Sequence, residues 1–443
     1  MRKCELFNDD WSFVKEGQET IVTLPHTWNA TDGQDGGNDY YRGICCYRKS
    51  FEISEISEDN EYWIEFRGAA MIAEVFLNGK QVGRHEGGYS TFRANLTPAL
   101  SKHNTIEVRV GNSANRYVYP QKADFTFYGG LYRDVHLITV PKMHFSLGYF
   151  GSSGLKITPR LFDSYTDVGV ECFFENVHDN ASVKISLAGG GETVAQVTEN
   201  KADAVIRIEN VRLWDGLDDP FLYSVEAYLI ESGDFIEASF GCRSFEFDLE
   251  KGFFLNGRSY PLCGAARHQD WAEVGSAITK EMQDTDMALM KDMGVNTIRL
   301  AHYQHDQYFY DLCDKEGMIV WTEIPYITEH MPEGRENTIS QMKELVLQNY
   351  NHPSVICWAL SNEITAVTGV TEDLFENHRI LNDLCHKLDD TRPTCMANVF
   401  MLEESNPIVP LTDIRSYNLY YGWYVGELSD NDRWFDYVHY MRN

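Results

Sequence analysis

The chain has 443 residues, of which 43% are apolar and 13% aromatic, and a formal net charge of −29. That length exceeds what one hydrophobic core organises and calls for two to four domains. So acidic a balance speaks against nucleic acid and anionic membrane surfaces as partners, because phosphate repels it. No apolar run reaches the length of a membrane span. Ten cysteines occur without Cys-x-x-Cys spacing, and the first ten residues lack the apolar core of a signal peptide. The thiols are therefore read as reduced and the protein as cytoplasmic.

Residues 1–141 read as all-β. Stretches 62–66 and 73–77 are apolar or alternating, Thr105-Ile106-Glu107-Val108-Arg109-Val110 alternates cleanly, and Asn78-Gly79 suits a two-residue hairpin turn. Many short strands with Gly-rich turns predict a jelly-roll sandwich. Residues 142–243 repeat the strand pattern at 168–174, 183–187 and 222–229, with a Gly189-Gly190-Gly191 turn, and predict an immunoglobulin-like sandwich.

From 244 to 443 strands alternate with helices, the signature of parallel βα units. Strands are expected at 260–266, 295–300, 318–325, 355–360, 394–399 and 414–418. Thr279 caps a predicted helix with Met282, Leu289, Met290 and Met293 on one apolar face, ended by Gly294. A last helix is expected over 432–441, with Trp434, Phe435, Val438 and Met441 apolar. The fold class is thus multidomain β plus α/β: jelly roll, immunoglobulin-like sandwich, then an incomplete (β/α)₈ barrel with six of eight units.

In such barrels the chemistry sits at the carboxyl ends of the strands. Those ends carry Arg267, His268 and Asp270; Arg299 and His302; Glu323; Asn362 and Glu363. Tyr420 and Trp423 follow the sixth strand. Polar and aromatic groups delivered by five strand ends to one rim suit a polyol. The unbroken run from Val355 to Leu360 has the character of a strand covered on both faces, and its polarity flips at Ser361-Asn362-Glu363. A carboxyl group there can protonate a leaving oxygen, although an Asn-Glu pair after a strand can equally cap the next helix. His302 and His305 are three apart, but His302 is read as a sugar hydrogen-bonding group rather than as half of a metal pair, and no metal site is assigned.

Residues 351–363, Asn-His-Pro-Ser-Val-Ile-Cys-Trp-Ala-Leu-Ser-Asn-Glu, resemble the acid/base motif of glycoside hydrolase family 2, the family of β-galactosidases and β-glucuronidases. Ala359 stands where Gly or Ser is usual. Residues 296–303 resemble a second hallmark, departing from it at Leu300 and Gln304, and Asn418-x-Tyr420-Tyr421-Gly422-Trp423-Tyr424 resembles a third. Upstream, Leu24-Pro25-His26-Thr27-Trp28, Tyr41-Arg42-Gly43, Leu77-Asn78-Gly79-Lys80, Gly87-Gly88-Tyr89 and residues 129–134 are similar to the family's sugar-binding domain. Leu213-Trp214 and residues 219–223 are similar to its second domain. The resemblance implies Glu363 as acid/base, Asn362 on the sugar 2-hydroxyl, Tyr420 on the nucleophile and Asp124 on the sugar; Arg299, His302, His268, Asp270 and Trp423 at the strand ends are further expected substrate contacts, and Asn38, in a Gly-rich loop that also suits a turn former, is a lesser one.

Retaining hydrolysis needs a second carboxyl group, which the family carries on its seventh strand. No match to it is found in this sequence: Glu427 lies in a loop-like stretch, and Glu323 is on the third strand. The chain is therefore expected to be the N-terminal part of a longer enzyme, inactive alone, with unpaired strand edges that aggregate or pair with another copy. The leading expectation is a retaining β-galactosidase. A β-glucuronidase is the alternative within the family, and a non-catalytic carbohydrate-binding protein is the alternative outside it. The expected partner is a small carbohydrate. A divalent or monovalent cation and a homo-oligomer are left open.

Overall fold

The structure is a computed structural model describing residues 2–35, 39–424 and 426–442, with side chains described through residue 436. The first unit is two antiparallel sheets. One orders Lys3–Leu6, Val135–Pro141, Asn60–Phe66 and Phe92–Asn95; the other orders Gln18–Val22, Trp11–Lys15, Ile44–Glu52, His103–Gly111, Ile72–Leu77 and Lys80–Glu86. Alternation aims each strand: Ile106, Val108 and Val110 are fully buried, while Thr105 and Arg109 face solvent. Asn78 and Gly79 turn the hairpin between Leu77 and Lys80 with φ of 51° and 81°, the positive values such a tight turn requires.

The second unit also pairs two four-stranded antiparallel sheets. In one, Tyr165–Glu175 is flanked by His144–Phe145, Leu155–Leu161 and Lys201–Glu209; the other orders Gly191–Gln196, Ser182–Leu187, Tyr223–Leu229 and Asp234–Phe240. Its core runs from Phe145 to Cys242 and has no catalytic group in it.

The third unit is a partial parallel barrel. Strands β1 (Gly264–Arg267), β2 (Thr297–Leu300), β3 (Ile319–Glu323), β4 (Val355–Asn362), β5 (Thr394–Asn398) and β6 (Ile414–Tyr417) lie side by side in sequence order, all parallel. Every residue of β4 is buried. Trp358 and Leu360 pack toward the helices, whereas Cys357 and Ala359 join the cluster containing Trp214 of the second unit. Burial on both faces is why the run shows no alternation. β4 continues two residues past Leu360 because Asn362 N–H bonds the Tyr326 carbonyl at 3.0 Å. β1 starts later than expected: Pro261 has no N–H to give, and Tyr260 N–H is used by Phe253 of the preceding hairpin.

Helices Lys280–Asp292, Gln307–Glu316, Arg335–Asn349 and Glu372–Leu388 connect the first five strands. Thr279 caps the first, accepting from Met282 N–H. Its buried face is Gln283, Met287 and Met290, of which Met290 was expected; Met282 is half-buried, and Leu289 and Met293 are exposed. Gln283 is drawn inward because its amide donates to Asp306, the cap of the next helix. Among the described residues β1 and β6 are the outer strands, and the inner face between them opens on a cleft of about 310 Å³ lined by Thr297, Arg299, Trp321, Ala397, Ser416 and Asn418.

All ten cysteines are free. Among the described residues no helix is long and apolar enough to cross a membrane.

One buried cation joins the first unit to the barrel. The Arg133 guanidinium donates to the Arg67 and Tyr89 carbonyls on one side and to Gln269 Oε1 and the Gln304 carbonyl on the other, at 2.5–3.0 Å. Arg133→Met should leave these acceptors unpaired and cost about 3 kcal/mol or more. The expected readout is a fall in the urea midpoint of the first unfolding transition, whereas an unchanged midpoint would contradict this role for Arg133.

Candidate active site

Glu323 ends β3 with no solvent exposure. A carboxylate so buried needs every lone pair satisfied. Arg299 from β2 forks onto it, Nε to Oε2 at 3.0 Å and Nη2 to Oε1 at 3.1 Å. Trp321 Nε1 donates to Oε2 at 2.9 Å, and His302 Nδ1 makes a short contact with Oε1. Burial by itself would raise the Glu323 carboxyl, but Arg299 and His302 outweigh it and hold it at about 2. Glu323 is therefore an anchor that orients Arg299 and His302.

The rest of the Arg299 fork faces the ends of β4 and β6. Nη1 donates to Asn418 Oδ1 at 2.9 Å and Nη2 to Asn362 Oδ1 at 2.7 Å. Asn418 Nδ2 in turn donates to Asn362 Oδ1 at 2.9 Å and to Glu363 Oε1 at 2.8 Å. The Tyr420 hydroxyl donates to the same Glu363 oxygen in a short contact. The family resemblance implied a nucleophile as the partner of Tyr420; in this chain the hydroxyl rests on Glu363. Burial first, then the Glu363 carboxylate, pushes the Tyr420 phenol up, so it stays a donor.

The first unit closes one side. Phe125 sets its ring 5.1 Å from that of His268 and 6.2 Å from that of His302. Asp124 is exposed beside it, and its charge reaches both His268 and Tyr420. Tyr128 donates to Asp270 Oδ2 at 2.9 Å, tying that rim carboxylate to the first unit. Burial, then His302, lowers His268 to about 4, so it is neutral at neutral pH.

The remaining expected groups are placed as follows. Trp423 is 76% exposed and stacks on Tyr424, outside the hydrogen-bonded network. Asn38 lies outside the described residues. Arg267 turns away from the rim to pair with Asp286 and stack on Phe309. His305 is fully buried against Arg267 and the Ala301 carbonyl, apart from the His302–Glu323 contact. Glu427 is exposed and caps the turn Leu428–Asp430. Sequence reasoning did not single out Asn418 or Phe125. Asn418 opens the Asn-x-Tyr string, which was the available signal; Phe125 had none, since its role depends on how two units meet.

Residues 248–441 match the model for the glycosyl hydrolases family 2 TIM barrel domain, and residues 42–154 match that for the glycosyl hydrolase 2 galactose-binding domain-like fold. A crystal structure of an FMN-binding β-glucuronidase from Facaelibacterium prausnitzii L2-6 superposes with a TM-score of 0.94 at 39% identity, covering 100% of this chain and 70% of that one. The chain belongs to glycoside hydrolase family 2. It is also 35% identical to a β-glucuronidase of Bacteroides fragilis, over 96% of this chain and 64% of that protein. It is 30% identical to a β-galactosidase of Thermoanaerobacterium thermosulfurigenes, over 89% of this chain and 58% of that protein. The chain thus spans less than two thirds of these two curated relatives.

The buried imidazoles set an acid limit. Burial lowers His378, under β4, to about 4, as it does His268. His378 is held neutral between the Leu374 carbonyl and the Ser361 hydroxyl. A folded-state pKa below the unfolded value of about 6.5 gives stability that is present above that pH and lost as pH falls toward 4. For His378 the loss is about 2–3 kcal/mol. Glu323, held at about 2 from an ordinary value of 4.5, begins to lose its contribution only at the acid end of this window. Urea midpoints should fall between pH 6.5 and 4, and less steeply in His378→Gln; equal slopes would exclude His378 as a cause.

Proposed function

We propose that this chain carries the sugar-binding rim and the acid/base of a retaining exo-β-glycosidase, in three units of 1–141, 142–243 and 244–443, the second immunoglobulin-like. The observation that carries the reading is the convergence of Asn418 and Tyr420 on one oxygen of Glu363. Held there, Glu363 directs its other oxygen to a glycosidic oxygen. It would protonate the leaving group in the first step and take a proton from water in the second. Asn362, whose Oδ1 is engaged by Arg299 and Asn418, has Nδ2 for the 2-hydroxyl. His302, His268, Asp270, Asp124 and Trp423 would meet the remaining hydroxyls and the ring face, with Asn38 a further candidate from the first unit.

The nucleophile must stand about 5–5.5 Å from the acid/base. Glu323 is unsuited, because donors occupy both its oxygens, and Glu427 serves a turn. The nucleophile is therefore proposed to come from a segment outside this chain, and the chain alone to be inactive.

For the sugar, the names of the relatives favour a β-glucuronide: the B. fragilis and F. prausnitzii proteins are both called β-glucuronidases. The β-galactoside expected from the sequence keeps support from the T. thermosulfurigenes relative and from the structure of a putative β-galactosidase of B. fragilis, 32% identical with a TM-score of 0.92. Aryl β-glucuronide and aryl β-galactoside assays of the full-length protein separate the two. Glu363→Gln should lower turnover by roughly 10²–10⁴-fold on substrates with poor leaving groups and less on activated aryl glycosides. Equal turnover by variant and parent on a poor leaving group would remove Glu363 from the acid/base role.

A further inference from the structure

Outside the barrel, where the two β-units meet, three side chains from separate strands converge. Glu61 lies on Asn60–Phe66, His144 begins His144–Phe145, and Glu175 ends Tyr165–Glu175. One ligand atom of each lies within 4.8 Å of the other two. His144 is fully buried. Its Nδ1 sits 3.0 Å from the Lys142 carbonyl oxygen, a contact that requires the proton on Nδ1. In the neutral ring Nε2 then holds a bare lone pair. Among the described residues that atom has no hydrogen-bond partner, and it faces Glu175 Oε2 at 3.6 Å and Glu61 Oε2 at 4.0 Å. A buried lone pair directed at two carboxylates is repulsive unless a positive charge, a proton or a metal ion, lies between them.

The carboxylates are held in place by other groups. Glu175 Oε1 accepts from Ser146 Oγ at 2.6 Å and Gly148 N–H at 2.7 Å, leaving Oε2 toward His144. Glu61 is fixed by Trp63 Nε1 and Asn95 Nδ2 on Oε2 and by Asn176 Nδ2 on Oε1. Outer hydrogen bonds of this kind, including the one from His144 to a backbone carbonyl, orient ligands in metal sites. Both carboxylate side chains keep some exposure, 15% and 26%, so water can complete a coordination shell and an ion can enter.

We propose that His144, Glu175 and Glu61 bind a first-row divalent cation of the Zn²⁺ or Mn²⁺ type, which clamps the second β-unit to the first. The imidazole nitrogen sets the class, because Ca²⁺ and Mg²⁺ prefer all-oxygen shells. Two ligands about 2.1 Å from one ion stand at most about 4.2 Å apart, and both His144–carboxylate distances fall inside that span. No bond is made or broken in substrate, and the site is independent of the reading of Glu363.

The test uses the full chain, stripped with EDTA and titrated with Zn²⁺ at neutral pH by calorimetry, alongside thermal unfolding. One saturable Zn²⁺ site and a raised melting temperature are expected. His144→Gln and Glu175→Gln should each weaken binding by more than the roughly 10–100-fold typical of outer-ligand changes, and should abolish the thermal shift. Glu175→Gln guards against misfolding: its amide oxygen keeps the Ser146 and Gly148 hydrogen bonds, and its N–H can satisfy His144 Nε2 without metal. Zn²⁺ affinity unchanged in both variants would place the ion elsewhere. Absence of saturable binding would leave the three residues as a structural contact between the two β-units. Either result overturns the site.

Discussion

Everything at the barrel mouth depends on the buried pairing of Arg299 with Glu323. Removing a carboxylate from water costs several kcal/mol unless charge and hydrogen bonds replace the solvent. Here a fork from β2, an imidazole and an indole do so. Because the guanidinium is planar, fixing one edge on Glu323 fixes the direction of its remaining N–H groups, which a lysine could not do. Those groups hold Asn362 and Asn418, and Asn418 holds Glu363. A constraint set at the carboxyl ends of β2 and β3 is thus transmitted to Glu363 past the end of β4 through hydrogen bonds of 2.7–3.0 Å.

A barrel rim by itself is an open dish. The first β-unit gives this one a wall, since Phe125, Asp124 and Tyr128 come from a loop of that unit and meet His268, His302 and Asp270. The wall can be positioned only if the units are locked, and Arg133 bridges them with hydrogen bonds in both directions. Further along the same seam, His85 and Ser90 of the first unit hold Glu344 of helix Arg335–Asn349. The geometry of the rim and the docking of the units are therefore one problem in this molecule, and a change in the seam should be felt at the rim.

Local pattern carried the strands well. The alternation of residues 105–110, the Asn78-Gly79 turn and the continuous run of β4 each follow from a short-range rule, and each occurs in the structure. The helix Lys280–Asp292 shows where such rules stop. Leu289 and Met293 satisfied the period yet face solvent, while Gln283, polar and unremarked, is buried by its bond to Asp306. At the site, residues at strand ends were legible because a parallel barrel aims them at one rim. Arg267 sits at such an end and still turns away, since Asp286 offers its charge a half-buried partner. What sequence could not supply was any contact made across two units: Phe125 on His268, Tyr128 on Asp270, and the Glu61–His144–Glu175 cluster are all of that kind.

The Asn-Glu pair had a plain alternative, that of capping the next helix, and the backbone decides against it. The short helix Thr365–Thr368 begins after Ile364 without a side-chain cap, and Glu372–Leu388 is capped by Thr371. The Glu363 side chain is instead taken up by Asn418 and Tyr420. Its backbone pays for the placement: φ is 46°, in the left-handed region that a non-glycine residue occupies at a cost of order 1 kcal/mol or more. The Glu363 N–H to the Ala397 carbonyl at 2.8 Å pins that turn to β5. A residue needed only to start a helix would gain nothing from this conformation. A carboxyl group that must leave the line of β4 and meet donors arriving from beyond β6 requires such a departure, so the strain falls where a proton-transfer group would need it.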